Sequence, residues 1–306
     1  MSKLKSTMGR MERPSTLLQE FCEWMHRHRG VRASTLDDRS RVVRAFLEAT
    51  GGSVARLGAA SIRAFVLNAA RGRSPASAKN VVAALRAFLR FLIAGGLVPA
   101  ELIDAVPTVA AWRLAALPRY LTASEVERVL GAVDRSTPAG LRDRAVLFLL
   151  WRLGLRAGEV AALCFDDFDW TGGTVRVGLS GKGRRETRLP LPQDAGDAVL
   201  AYLERGRPVH ADPHIFLRAR RPLSRQAVAT VVVRTALRRA GLRMPSEGAH
   251  LLRHSLATHL LRQGQPLQAI AAVLRHRSIE MTAHYAKVDV TRLALIAQPW
   301  PEVTSC

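Results

Sequence analysis

The spacing of apolar residues divides the chain into an all-helical first third and a mixed remainder. Through the first hundred residues, apolar side chains recur every three or four positions, the period of an amphipathic helix. Ser74 and Pro75 form a favourable pair of N-cap and first helical residue for the last of these helices. The pattern predicts a helical bundle with helices at 16–29, at 34–50, from about residue 60 and after Ser74.

The period changes in the remainder of the chain. Thr122 and Glu125 have the spacing of a capping box, which opens a helix. Within 174–192, apolar and polar residues alternate on both sides of a glycine-flanked turn, and this predicts a β-hairpin with Lys182 at its turn. The other predicted elements are helices at 123–133 and 139–153, a strand at 214–217, and helices from the N-cap Ser224 onward.

These elements predict a mainly α fold with a small antiparallel β-sheet, divided into an N-terminal helical bundle and a C-terminal α+β domain. A chain of 306 residues is long enough for two domains, and 48% hydrophobic residues can supply a core for each. The expected boundaries are a flexible N-terminus at 1–15, the helical domain at 16–106, a linker at 107–120, the α+β domain at 121–297 and a tail at 298–306.

Several classes of protein are disfavoured by the composition. The sequence has no apolar run long enough to predict a transmembrane helix, and its first residues lack the apolar stretch of a signal peptide. Cys22, Cys164 and Cys306 are scattered, which supports neither a disulfide framework nor a zinc site. We therefore expect a cytoplasmic protein without a membrane partner, in which Cys22 and Cys164 are buried thiols.

Charge is the strongest signal in the composition. The chain has 46 Lys and Arg against 25 Asp and Glu, a net charge of +21. The first 115 residues contain 18 basic and 8 acidic side chains, and the rest contain 28 and 17, so both parts are basic. Such a charge favours a polyanionic partner such as nucleic acid, because phosphate neutralisation releases counterions. A general enrichment in arginine without a nucleic-acid partner is the alternative.

Familiar metal and nucleotide motifs do not fit. His250 and His254 have the spacing of a zinc-protease helix, but Leu251 stands where that motif needs glutamate. Gly183 follows Lys182 where a phosphate-binding loop needs serine or threonine. The acidic group Asp166, Asp167 and Asp169 is expected to form caps and turns. We therefore expect neither a metal nor another cofactor.

Four separated segments supply residues for one chemistry. Arg156 lies in "LGLRAGEVAAL", just past a predicted helix end, and Lys182 lies at the hairpin turn. Only five basic residues of this chain are lysines, which makes the position of Lys182 informative. The remaining candidates are His250 and Arg253 in "HLLRHSLATHLL", and His276 and Tyr285 in "LRHRSIEMTAHYAKVD".

These segments resemble the tyrosine recombinases, the phage-integrase family. The resemblance covers about residues 15–297, and the N-terminal bundle is similar to the family's SAM-like core-binding domain. One departure is local, because the family usually has glycine before the second histidine and this chain has Arg275. That change adds charge beside the expected site and removes no catalytic group.

The resemblance implies metal-free and ATP-free breakage of DNA through a 3′-phosphotyrosine intermediate. Tyr285 is the expected nucleophile, and Arg156 and Arg253 are expected to hold the non-bridging phosphate oxygens, since guanidinium is a planar bidentate donor. Lys182 can release a proton to the leaving 5′-oxygen, which arginine cannot readily do. His276 is a further donor, and His250 either accepts the tyrosine proton or contacts the phosphate. Two other histidines, His254 and His259, are expected to be structural.

The partner expected from this reading is double-stranded DNA carrying a specific site, bound by a homotetramer or with a related recombinase. The predicted DNA contacts are Lys79, Arg86, Arg90, Arg184, Arg185 and Arg225. The segment after Tyr285 packs either on its own subunit or on a neighbour. A type IB topoisomerase and a catalytically silent DNA-binding relative are the alternatives to a recombinase, and a mobile element is the preferred setting.

Overall fold

The computed structural model describes residues 14–31, 33–110, 119–178, 186–218, 221–224, 227–245 and 247–288. The chain divides into two compact units, Met1–Ala115 and Ala116–Cys306. Each unit has its own hydrophobic core. The predicted fold class is confirmed: the protein is mainly helical, with small antiparallel sheets in the second unit.

The first unit is a helical bundle centred on its fourth helix. Ser74 caps this helix, since its Oγ accepts from the backbone N–H of Ser77 at 3.3 Å, and Pro75 occupies the first turn as predicted. Phe21 packs edge-on against Phe88, with ring centroids 5.4 Å apart, in a geometry that aromatic pairs favour. The helices are α1 (Pro14–Arg29), α2 (Ala33–Ala49), α3 (Ala59–Ala70) and α4 (Pro75–Ala94), with 3₁₀ turns at Val54–Arg56 and Ala100–Ala105.

The second unit surrounds one almost fully buried helix, Pro138–Arg152. The residues from Ala145 to Trp151 are all buried, which explains why this stretch of the helix is apolar on every face. The helices are α5 (Ala123–Gly131), α6 (Pro138–Arg152), α7 (Ala157–Ala161), α8 (Gln193–Arg205), α9 (Val233–Arg239), α10 (Ala249–Arg262), α11 (Leu267–Leu274) and α12 (Glu280–Ala283). A π-helical segment (Ala227–Val232) and 3₁₀ turns at Phe165–Asp167 and His284–Val288 complete the helical elements of the described chain.

The helix starts that the sequence predicted are confirmed. Thr122 and Glu125 form the predicted capping box at the start of α5, with the Thr122 N–H donating to Glu125 Oε2 at 2.8 Å. Ser224 accepts from the N–H of Ala227 at 3.2 Å, although the helix begins there with π-helical rather than α-helical turns.

The predicted β-hairpin is confirmed as an antiparallel pair. Strands β2 (Thr174–Val177) and β3 (Thr187–Pro190) pair with Val175 opposite Leu189. Strand β1 (Phe168–Asp169) adds to the free edge of β2. The predicted turn residue Lys182 lies outside the described residues.

The strand predicted at 214–217 is wrong in most of its length. Only a single bridge joins His214 to Cys164, and the two-residue strand β4 (Leu217–Arg218) pairs instead with β5 (Arg221–Pro222). The reason is the side chain of Arg207, which donates to the carbonyls of Asp212, His214 and Ile215. Those carbonyls are satisfied without a strand partner.

The acidic residues near β1 and the two cysteines of the described chain make local contacts. Asp167 accepts from the N–H of Cys164 at 2.9 Å and Asp169 from that of Gly172 at 2.8 Å, which confirms their roles as caps and turns. Cys22 and Cys164 are free thiols, but both are half-buried rather than buried. No helix among the described residues is long and apolar enough to cross a membrane.

Candidate active site

Arg156 is placed by the turn between α6 and α7. Gly154 has φ +57°, a left-handed conformation that lets the chain reverse after α6. Arg156 is then the N-cap residue of α7, and Glu159, three residues later, accepts hydrogen bonds from it. The carboxylate accepts from the Arg156 backbone N–H at 2.8 Å and from its Nη1 at 2.8 Å. The guanidinium is therefore held in place beside a buried carboxylate.

Arg253 lies on α10 and is only 3% exposed. Its two Nη atoms donate to the carbonyls of Gly154 and Leu274, and so α10 is tied to the chain on either side of the site. Burial lowers the pKa of Arg253 to about 10, and the charges of Arg156 and Arg275 contribute to the same direction. The group is still protonated at neutral pH, because that value stays well above 7.

Tyr285 lies in the 3₁₀ turn after α12 and is 2% exposed. Its hydroxyl oxygen is 2.7 Å from Nδ1 of His254. Its ring is nearly parallel to that of His276, with centroids 6.3 Å apart and an interplanar angle of 8°. Burial raises the pKa of the Tyr285 phenol, and the charges of Arg253 and Arg156 offset part of that rise. The phenol is therefore protonated at rest, within the field of both guanidiniums.

His276 follows α11 and is oriented by a buried threonine. Its Nδ1 lies 2.7 Å from Oγ1 of Thr282. Burial lowers the pKa of His276 to about 4, helped by the charges of Arg253 and Arg156. The imidazole is therefore neutral at pH 7. When the Thr282 hydroxyl donates to Nδ1, the ring proton stays on Nε2, which can then donate to an anion.

His254, which the sequence interpretation expected to be structural, contacts Tyr285 in the fold. Its hydrogen bond to Tyr285 places it against the expected nucleophile. Burial lowers the pKa of His254 to about 4, with further contributions from His250, His284 and Arg253. His259, the other histidine assigned to packing, contacts the ring of buried Trp151 at a centroid distance of 5.6 Å, as expected of a structural residue.

The structure thus brings four of the six predicted catalytic residues together and places a fifth nearby. Arg156, Arg253, His276 and Tyr285 share one region of the second unit. His250 is exposed in the first turn of α10, with its ring centroid 6.2 Å from that of His254. The sixth residue, Lys182, lies outside the described residues.

The predicted DNA contacts of the first unit lie on α4. Lys79 and Arg90 are exposed, whereas Arg86 is half-buried and donates to the carbonyl of Val106 at 3.1 Å. Arg86 and Arg90 also line a cleft together with Trp24 and Arg39. The sequence interpretation did not include Arg39 in this group of basic residues. Burial lowers the pKa of Arg39, and the charge of Arg29 adds to that shift. The other predicted contacts, Arg184, Arg185 and Arg225, lie outside the described residues.

The chemistry open to this site follows from its groups. Two guanidiniums supply positive charge, two neutral imidazoles can donate or accept protons, and one phenol can act as a nucleophile. Within the described part of the chain, no group of three or more histidine, cysteine or acidic residues is placed to hold a metal ion. Such a set suits transfer of a phosphoryl group to the phenol.

Two family models match the chain. The phage integrase family matches residues 119–292, and the N-terminal SAM-like domain of phage integrases matches residues 18–96. The putative integrase/recombinase y4rA of Sinorhizobium fredii is 41% identical over 300 residues, which cover 94% of this chain and 72% of that protein. The tyrosine recombinase XerD of Halalkalibacterium halodurans is 32% identical over 297 residues, covering 92% and 96%.

Solved structures show the same fold. The XerH recombinase bound to palindromic difH in a post-cleavage complex has a TM-score of 0.71 at 22% identity, covering 93% of this chain and 84% of that one. A lambda integrase dimer bound to a COC′ core site has a TM-score of 0.68 at 20% identity, covering 95% and 80%. The chain belongs to the phage integrase family and is a tyrosine recombinase.

Proposed function

We propose that this enzyme cuts and rejoins double-stranded DNA at a specific site through a 3′-phosphotyrosine intermediate on Tyr285. The observation that supports this most strongly is the position of the Tyr285 hydroxyl. It lies 2.7 Å from a neutral imidazole, and the charges of Arg253 and Arg156 offset part of the rise in its pKa that burial causes. A phenol in such surroundings is the nucleophile that metal-free phosphoryl transfer requires.

The proposed step exchanges one phosphate ester for another. Tyr285 Oη attacks the phosphorus, the new Oη–P bond forms, and the bond from phosphorus to the 5′-oxygen breaks. Arg156 and Arg253 stabilise the charge on the non-bridging oxygens. One phosphate ester replaces another, so the 5′-hydroxyl can attack the phosphotyrosine and reverse the reaction without ATP.

Proton transfer is divided between two places in this proposal. The phenol proton passes to Nδ1 of His254, the atom that the hydroxyl already contacts. The incoming phosphodiester brings a negative charge, which raises the pKa of His254 from its resting value of about 4 and makes it a better acceptor. We assign His250 and His276 to the phosphate oxygens, and Lys182 to protonation of the leaving 5′-oxygen.

The expected partner is a DNA duplex. A net charge of +21 supplies the attraction to phosphates, and the exposed residues Lys79 and Arg90 on α4 are candidates for contacts. Exchange of strands between two duplexes requires four cleavages, one for each strand, and so we propose a homotetramer on DNA. The likeness to putative integrase/recombinases favours a mobile element as the setting.

The chain has three tyrosines, and this allows a matched test of the nucleophile. The substrate is found in two steps. DNA duplexes that bind the protein are first selected from a pool with a randomised central sequence. One strand of a selected duplex is then nicked, at a different position in each substrate, so that the cleaved product is trapped. We expect the wild-type protein and the Tyr120→Phe control to form a covalent adduct that survives denaturing electrophoresis. Tyr285→Phe should bind this DNA and form none. An undiminished adduct from Tyr285→Phe would overturn the proposed role.

A further inference from the structure

Arg275 occupies a backbone position that is unfavourable for arginine. It ends α11 with φ 53° and ψ 47°, in the left-handed region. Among the described residues it is the one non-glycine residue with positive φ. A side chain at such a position is crowded by the neighbouring backbone, which is why glycine usually ends helices in this way. The side chain of Arg275 must therefore make interactions that offset this cost.

Those interactions join three parts of the proposed active site. The Arg275 side chain is 11% exposed, and its Nη2 pairs with Glu159 Oε2 at 3.0 Å. Its Nη1 donates to the carbonyl of Leu153 at 3.4 Å, in the turn that leads to Arg156. The backbone carbonyl of Arg275 in turn accepts from Nη2 of Arg156 at 3.5 Å. Arg275 therefore spans the segments that carry Arg156 and His276.

The contact between Arg275 and Glu159 matters because the Glu159 carboxylate is charged. Burial alone would raise the pKa of Glu159, but the Arg156 N–H and the charges of Arg275 and Arg156 lower it overall. The carboxylate is therefore ionised beside Arg156, and by itself it would cancel the charge of one guanidinium. With Arg275 present, two guanidiniums pair with the carboxylate, Arg253 lies close enough to interact with its charge, and the cluster keeps a net charge of two. Without Arg275 that charge falls to one.

We propose that Arg275 is a positioning residue that balances Glu159, so that Arg156 and Arg253 present two net positive charges to the phosphate. This inference rests on the proposed phosphotyrosine reaction. The phosphodiester and the attacking phenolate together carry two negative charges, and a doubly positive cluster matches them. Glu159 can then orient Arg156 through two hydrogen bonds without weakening its attraction for the phosphate.

The test restores the charge by a second substitution. Arg275→Gly relieves the backbone and removes one positive charge, while Glu159→Gln keeps the shape of the carboxylate and removes one negative charge. We expect Arg275→Gly to slow single-turnover cleavage at saturating nicked duplex roughly tenfold to a hundredfold, the range for loss of one electrostatic donor. The double variant should cleave faster than Arg275→Gly, although it has lost more native contacts.

A purely structural role makes cleavage follow the stability of the fold, because a buried carboxylate that loses its partner is destabilising. The inference is overturned if the double variant cleaves more slowly than Arg275→Gly, or if its faster cleavage only reflects a restored melting temperature. Melting temperatures of all variants identify any that do not fold, and in that case Arg275→Asn replaces Arg275→Gly, because asparagine tolerates the left-handed region. Failure of the wild-type protein to form a covalent adduct would refute the proposed function and the inference together. A normal wild-type adduct with no rescue would refute the inference alone.

Discussion

The half-buried imidazole of His254 should make the second unit sensitive to mild acid. The pKa of His254 is lowered from 6.5 to about 4, first by burial and then by its charged neighbours. In the unfolded chain this histidine titrates near its ordinary value. Between those two values the unfolded state binds more protons than the folded state. The free energy of unfolding therefore falls as the pH drops from about 6.5 towards 4.

The size of this effect follows from the two pKa values. With about 6.5 unfolded and about 4 folded, protonation at pH 5 favours the unfolded state by about 2 kcal/mol relative to pH 8. His276 shifts in the same direction, but it is more exposed, and solvent screening reduces its contribution. We expect His254 to account for the larger share.

Hydrogen exchange can isolate this contribution within a chain of two units. Amide exchange in peptides from α10, corrected for the intrinsic rate at each pH, gives the free energy of opening of that helix. The wild-type protein should lose about 2 kcal/mol more between neutral pH and pH 5 than His254→Gln, which cannot titrate there. Equal pH dependence of the two proteins would refute the burial argument for His254.

Three further perturbations test other parts of the site. Gly154→Ala should lower the free energy of unfolding by about 2–4 kcal/mol, because its Cβ would meet Leu274 Cδ2 at 2.8 Å. Gly173→Ala is the control in urea unfolding, since Gly173 has a similar φ and no atom within 4 Å of an added Cβ. The control should lose less free energy of unfolding than Gly154→Ala. Arg253→Lys leaves a buried carbonyl without its donor and should cost about 1–3 kcal/mol in the same measurement, and an unchanged midpoint would contradict the bonding described. Lys182→Ala should slow cleavage, with partial recovery on DNA that has a 5′-thio leaving group; no recovery would count against its role as the acid.

Local features of the fold were predictable from the sequence. The caps at Ser74 and Thr122 depend on residues three positions away, and such short-range hydrogen bonds leave a direct trace in the sequence. The hairpin was predictable because its alternation spans two adjacent segments. The strand predicted at 214–217 was wrong because Arg207, outside that segment, takes the carbonyls that a strand partner would need.

The sequence indicated four residues that the structure brings together, but not the contacts that they make. His254 and Tyr285 are 31 positions apart, and their hydrogen bond exists only because α10 packs against the turn after α12. Arg275 and Glu159 are 116 positions apart, and nothing near either residue specifies that they pair. The sequence indicated Arg275 as additional charge, but its pairing with Glu159 is visible only in the fold.

Mapping the covalent linkage is the decisive experiment for the proposed reaction. Wild-type protein is trapped on the nicked duplex, digested with protease and nuclease, and the modified peptide is sequenced by mass spectrometry. We expect one nucleotide joined through its 3′-phosphate to Tyr285 and a free 5′-hydroxyl on the released strand. A linkage to any other residue, or one through a 5′-phosphate, would contradict the proposed mechanism.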